Sequence, residues 1–288
     1  VKLALNWYPE PEFGGFYEGV LGGHYEAAGF DVEILPGGPG APTLQLLATG
    51  QTDVAITAAD ELLLQRNKGV KALGIWAAFQ HSPQGIMVRK DAGITTLAEL
   101  KELPEAKLAI EIGSPFHKHL WSAGGLEGKV AAVPYGGSVG PFLAGSVPAQ
   151  QAYITSEPCV ARAKGVEVAF IAARESGWNP YGTVVAVADP APEWADEFVV
   201  ATQNAWRAYL QDPARANAEI ARQNPQLTPE QLDCVTAAQR SFVTGDEGLG
   251  SMSEHRWEDM ARQLVAIELL SEGTRSVGAW KALWVEPR

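Results

Sequence analysis

Two kinds of side chain recur where the sequence pattern places the ends of strands. Rings form one group: Trp7, Phe13, Tyr17, Phe116, Tyr135, Trp178 and Tyr181. Carboxylates form the other: Glu12, Asp60, Glu61, Glu111 and Glu157. Asn6, Gln80, His81 and Ser114 add neutral polar groups, and Gly38 and Gly136 sit in glycine-rich turns. Arg and Lys are nearly missing from these positions, with Arg89 and Lys118 the nearest. Rings can sandwich a flat ligand while carboxylates accept its N–H groups. An anion would instead depend on backbone N–H groups at helix starts and at Gly37–Gly40 or Gly136–Ser138. Ser114 and Asp60 also stand where helix caps are common, so a structural reading of both is open.

Signatures of catalysis are missing. There is no G-x-S-x-G elbow, no H-E-x-x-H pair, no phosphate-binding P-loop and no dinucleotide fingerprint. His117 and His119 are two apart and point away from each other on a helix. Glu12 with His81 could act as acid and base, or simply as a hydrogen-bonded binding pair. The chain therefore reads as a binding protein rather than an enzyme, with no cofactor and no metal expected.

The elements that must position these residues alternate. Strands are expected at Val1–Asn6, Phe30–Leu35, Asp53–Thr57, Val70–Phe79 and Gln84–Arg89. Helices are expected at Phe13–Ala28, Thr43–Thr49 and Ala58–Lys68, several closed by Gly. A second set follows: strands at Leu108–Ile112, Lys129–Pro134, Gln151–Thr155 and Val168–Ala172, with helices at Phe116–Ala123 and Pro158–Lys164. Tyr181–Ala188 reads as a returning strand. Beyond it lie helices at Glu193–Gln211, Pro213–Asn224, Pro229–Thr244 and Ser253–Leu270, packed by Trp194, Trp206, Trp257, Trp280 and Trp284. This order implies an α/β fold of two lobes: residues 1–86, then 87–182, then 183–288 returning to the first with the helical tail. Ligands of such sheets bind beyond the carboxyl ends of the strands, which is where the rings and carboxylates fall.

Composition narrows the partners. With 288 residues and a net charge of −12, the chain lacks the basic face that nucleic acid requires, and it disfavours an anionic membrane surface. No apolar run approaches the length of a membrane helix. Two cysteines make neither a disulfide framework nor a zinc site. Cys159 and Cys234 fall in different expected lobes, which argues against their pairing. The chain opens at Val1 on a strand-like run, as a mature or trimmed sequence does.

The order of these features resembles the solute-binding proteins of bacterial ABC importers. Within them, the similarity is to the superfamily of nitrate, sulfonate and taurine binders and of binders of thiamine's pyrimidine precursors. The resemblance rests on Leu3–Pro9, Gly15–Gly19, Gly22–Ile34, Leu46–Ala55 and Ile94–Lys101. An opening strand ending in Trp7 before a Pro turn is similar to the pyrimidine-binding branch. That branch continues with Asn and His where Pro9-Glu10-Pro11-Glu12-Phe13 stands here. The resemblance implies a type II periplasmic-binding-protein fold, two α/β lobes joined by a two-strand hinge, closing on a solute in the interlobe cleft. It also implies a monomer outside the cytoplasm that delivers its ligand to a permease and ATPase, touching the membrane only through these or an anchor. The ligand is expected to be a small nitrogen-rich aromatic, with a small anion as the alternative.

Overall fold

The structure, a computed structural model, describes residues 1–245 and 248–283; Trp284 lies outside them. Its strands and helices alternate at first: β1 (Lys2–Ala4), α1 (Gly14–Leu21), α2 (His24–Ala27), β2 (Glu33–Leu35), α3 (Thr43–Ala48), β3 (Val54–Thr57), α4 (Ala59–Asn67) and β4 (Ala72–Phe79). A second run follows with β5 (Gln84–Arg89), β6 (Lys107–Ile110), α5 (Pro115–Gly124), β7 (Ala131–Pro134), α6 (Gly140–Leu143), β8 (Ala149–Tyr153), α7 (Glu157–Ala163) and β9 (Val168–Ala172). The chain then enters β10 (Gly182–Ala188) and four helices: α8 (Ala195–Gln211), α9 (Ala214–Gln223), α10 (Pro229–Thr244) and α11 (Glu254–Ala266).

Two compact units result. Val1–His81, Pro180–Arg262 and the chain from Glu272 on form the first; Ser82–Asn179 and Gln263–Ser271 form the second. The first holds a five-stranded sheet ordered β2-β1-β3-β10-β4, and the second one ordered β7-β6-β8-β5-β9. In the first, β1 runs parallel to β2 and β3, and β10 is antiparallel to β3 and β4. The second repeats this plan: β6 is parallel to β7 and β8, and β5 is antiparallel to β8 and β9. Both sheets are thus mostly parallel with one reversed strand next to an edge. The carboxyl ends of β1–β4 share one rim with the entry to β10, and those of β6–β9 share one with the entry to β5.

Strand β4 stands at a sheet edge although every residue of it is buried. An apolar edge strand is an open template for pairing unless something covers it. Here the chain near the C-terminus does so: Gly74 donates to the Ala279 carbonyl at 3.0 Å, and Lys281 donates to that of Gly74 at 2.9 Å. Trp280 stacks on Trp257 beside this bridge, centroids 6.2 Å apart.

Helix α8 closes the first unit's core. Phe198 stacks on Tyr25 at 5.0 Å, and Trp206 meets Phe16 edge-on at 5.6 Å. Helix α1 can approach only because Gly14 and Gly15 face it: a Cβ at either would fall 2.1 Å from the Tyr209 ring or 2.2 Å from the Trp206 ring.

Several expectations are corrected. The helix expected over Phe13–Ala28 is interrupted at Gly22-Gly23, where Gly23 turns left-handed at φ 74°. Helix α6 was not expected, because a four-residue turn starting Gly-Pro carries no periodic signal. Neither Cys159 nor Cys234 is a free thiol; each is in disulfide form.

Candidate functional site

In the first unit, β1 and β2 leave the sheet side by side. Leu5 donates to the Leu35 carbonyl at 2.9 Å and Gly37 to that of Trp7 at 3.1 Å. A Cβ on Gly37 would lie 2.1 Å from the Leu5 oxygen, so glycine is required for this approach. Trp7 is half-buried and meets Tyr8 edge-on at 5.5 Å, while Gly38 sits under the Tyr8 ring. The Asn6 Oδ1 is buried with no hydrogen-bond partner among the described residues. The turn that follows is fixed from behind by the helical tail: Asn224 donates to the Pro9 carbonyl at 3.1 Å and Gln239 to that of Pro11 at 2.9 Å. Glu12 is buried in this turn. Phe13 and Tyr17 belong to the hydrophobic core itself, where the Tyr17 hydroxyl donates to Gln223 Oε1 at 3.0 Å. Burial raises the Tyr17 pKa, with the Glu219 charge adding to it, so the phenol is neutral.

Helix α4 starts on this rim. Its N-cap is Ala58, not Asp60; Asp60 and Glu61 occupy the first turn, where they complement the helix dipole. Thr57 Oγ1 donates to Glu61 Oε2 at 3.1 Å. Gln80 is engaged at both ends of its amide, donating to the Ala77 carbonyl and accepting from Ser251 Oγ, each at 2.9 Å. His81, the next residue, is half-buried. Tyr181, just before β10, accepts from the Ser253 backbone N–H at 3.0 Å and its carbonyl accepts from Ala59 at 3.0 Å. The Arg256 guanidinium lies 3.8 Å from the centroid of the Tyr181 ring and donates to the Gln80 carbonyl. In the sequence, Arg and Lys are nearly missing from the strand ends, with Arg89 and Lys118 the nearest. Arg256 reaches this rim from α11, and its position on a distant helix left no local signal.

The second unit builds its rim around Glu157. At the start of α7, its Oε1 accepts from the Tyr135 hydroxyl at 2.7 Å and its Oε2 from the Tyr153 backbone N–H at 2.8 Å. The exits of β7 and β8 are thereby tied through one carboxylate. Burial pushes its pKa above the usual carboxylate range, and the hydrogen bonds from Tyr135 and Tyr153 only partly offset this. Gly136, beside Tyr135, is exposed, and a Cβ there would touch nothing within 4 Å. Glu111, after β6, is exposed, and its backbone N–H donates to Gln151 Oε1 at 2.8 Å. Ser114 is the N-cap of α5, accepting from the His117 N–H at 3.1 Å.

Phe116 and Trp178 come together at 6.4 Å, with His119 5.1 Å from Trp178. All three are buried, Trp178 completely. The Trp178 indole donates to Gln84 Oε1 at 2.8 Å, and Ser82 donates to Asn179 Oδ1 at 2.8 Å, so the segments entering and leaving this unit are bonded side by side. His117 and His119 do point apart: Gly113 donates to the first and Ser176 Oγ is partnered with the second.

This fold has counterparts in known proteins. The NMT1/THI5-like family profile matches residues 10–216, more than half of the chain. The chain belongs to the NMT1/THI5-like family. It is 24% identical over 214 residues to the formylaminopyrimidine-binding protein of Halalkalibacterium halodurans, covering 73% of this chain and 64% of that protein. The chain thus spans less than two thirds of that relative's length. Among solved structures, it is similar to the alkanesulfonate-binding protein SsuA of Xanthomonas axonopodis pv. citri, with a TM-score of 0.71, 15% identity and 98% of each chain covered. It is also similar to the periplasmic nitrate-binding protein NrtA of Synechocystis PCC 6803, with a TM-score of 0.69, 15% identity, and 95% of this chain and 82% of that one covered. At such identities the structural likeness is one of fold, and the fold is that of periplasmic binding proteins. All three proteins are named for binding, none for catalysis.

Proposed function

We propose that this protein is the solute-binding component of an ABC importer, working outside the cytoplasm, and that it binds without transforming a small nitrogen-rich aromatic of the aminopyrimidine class. The observation that carries the ligand class is the chemistry of the two rims. Each pairs a ring with carboxylates: Trp7 (with Tyr181 packed behind, under Arg256) with Glu12, Asp60 and Glu61 in the first unit, and Tyr135 with Glu111 and Glu157 in the second. Carboxylate oxygens accept from ring N–H and amino groups, and ring faces stack on a flat heterocycle. A relative named for binding a formylaminopyrimidine supports the same class. Phe13, Tyr17, Phe116 and Trp178 serve in this reading by packing behind the contact residues. The partners are a permease and its ATPase, which take the solute on; neither nucleic acid nor a cofactor has a role.

Arg256 favours a second reading, in which the solute is a small sulfonate or nitrate. Its guanidinium, held against the Tyr181 ring and the Gln80 carbonyl, puts positive charge at the rim, which an oxyanion favours, and proteins of the same fold are named for such ligands. Calorimetry with 4-amino-5-hydroxymethyl-2-methylpyrimidine, methanesulfonate and nitrate separates the two. Saturable heat is expected with the pyrimidine and none with the anions. Binding of an anion alone overturns the first reading, and chemical change of recovered pyrimidine overturns the carrier role.

A further inference from the structure

A cavity of about 550 Å³ opens in the second unit, beginning at the first turn of α5 behind the Ser114 cap. It runs along α5 to the start of β7, at Ala132, whereas the rim lies at the other end of β7, at Tyr135. Trp121, His117, Lys118, Glu127, Ile267 and Glu268 line it, all within that unit. Trp121 and His117 form one wall, ring edge to ring face at 4.3 Å. His117 accepts from the Gly113 N–H through Nδ1, so its proton sits on Nε2. Burial lowers the His117 pKa, which keeps the imidazole neutral near pH 7. The charged groups of the lining are then one ammonium, Lys118, against two carboxylates, Glu127 and Glu268.

Glu268 stands out on separate, backbone grounds. It closes α11 in a left-handed conformation, φ 59°. Its N–H donates to the Val265 carbonyl at 3.0 Å, and the next N–H, from Leu269, donates to that of Leu264 at 2.9 Å. These are the two bonds of the Schellman motif, whose left-handed position glycine fills most easily. A residue with a Cβ is costly there. Many turns of this chain end in left-handed glycines, Gly128 of the same lining among them, whereas Glu268 carries a carboxylate in that conformation at the cavity.

We propose that this cavity is a second binding site, distinct from the strand-end rims, for a small organic ammonium whose apolar body lies against Trp121 and whose charge is shared by Glu127 and Glu268. A ring face attracts a cation, and the two exposed carboxylates of the lining outnumber its single ammonium, Lys118.

The test uses the whole protein and benzylammonium as probe, with benzyl alcohol and benzoate as neutral and anionic counterparts. The readout is the indole N–H resonance of Trp121, identified with Trp121→Phe. Benzylammonium should shift it saturably, more tightly than either counterpart. Glu268→Gly relieves the backbone and removes the carboxylate, so it should weaken the probe about three- to tenfold while the melting temperature holds or rises. Glu268→Gln keeps the backbone cost and should lose the same affinity. The proposal is overturned if no saturable shift occurs, if benzoate binds as well, or if Glu268→Gly binds the probe like the wild type.

Discussion

At the scale of single residues, the second rim turns on a carboxylate that is easier to keep neutral than a free one. Glu157 pays for burial, and its pKa is higher folded than unfolded. The sign follows from linkage: such a group gives stability fully present below its unfolded pKa, and that stability is lost as the pH rises through the folded value. Glu157→Gln, which cannot ionise, should remove this loss. Urea midpoints at about pH 4 and about pH 8 should therefore fall further with rising pH in the wild type than in the variant. An equal or smaller fall in the wild type would contradict the assignment. The residue types of both rims were legible in the sequence because strand ends can be located by periodicity. What those residues touch was not. Phe13 and Tyr17 read as ligand rings but are built into the core, since helical spacing shows which side a residue faces only relative to its own helix. Arg256 was invisible for the opposite reason, being brought to Tyr181 by a helix 75 positions further along the chain.

At the scale of elements, glycine sets how closely the helices approach. Gly15→Ala would drive a methyl into the Trp206 ring, which is locked between Phe16, Trp76 and Tyr209. Overpacking of this kind costs about 1–3 kcal/mol, and a clear drop in melting temperature should follow; an unchanged midpoint would show that α8 can move aside. This contact had no sequence signature, because the glycine and the tryptophan lie in helices distant along the chain. Strands were easier: Gln84–Arg89 and Val168–Ala172 match β5 and β9 to the residue. Both are β-branched or apolar runs bounded by polar or small residues. Boundaries slipped where a strand end is an unpaired continuation, as at Phe30–Val32, which precedes the ladder of β2. The identical strand plan of the two units was not legible at all. Strand order depends on which ladders form, and the reversed strand of each sheet is supplied by a segment that crosses between units.

At the scale of the whole molecule, the covalent state of the two cysteines bears on where the protein works. Disulfides persist in oxidising compartments and are rare where the thiol pool is reducing. A chain whose only two cysteines are both in disulfide form suits a carrier acting beyond the cytoplasmic membrane. The net charge of −12 is compatible with the same role, since like charges keep protein molecules dispersed and away from nucleic acid. The thiol state makes the sharper prediction. Protein exported to an oxidising compartment, then denatured without reductant, should show no thiol reactive to Ellman's reagent, and reduction should release two per chain. Two reactive thiols before reduction would remove the oxidised state, and with it this physical argument for a carrier outside the cytoplasm, while leaving the ligand chemistry of the rims to be judged on calorimetry.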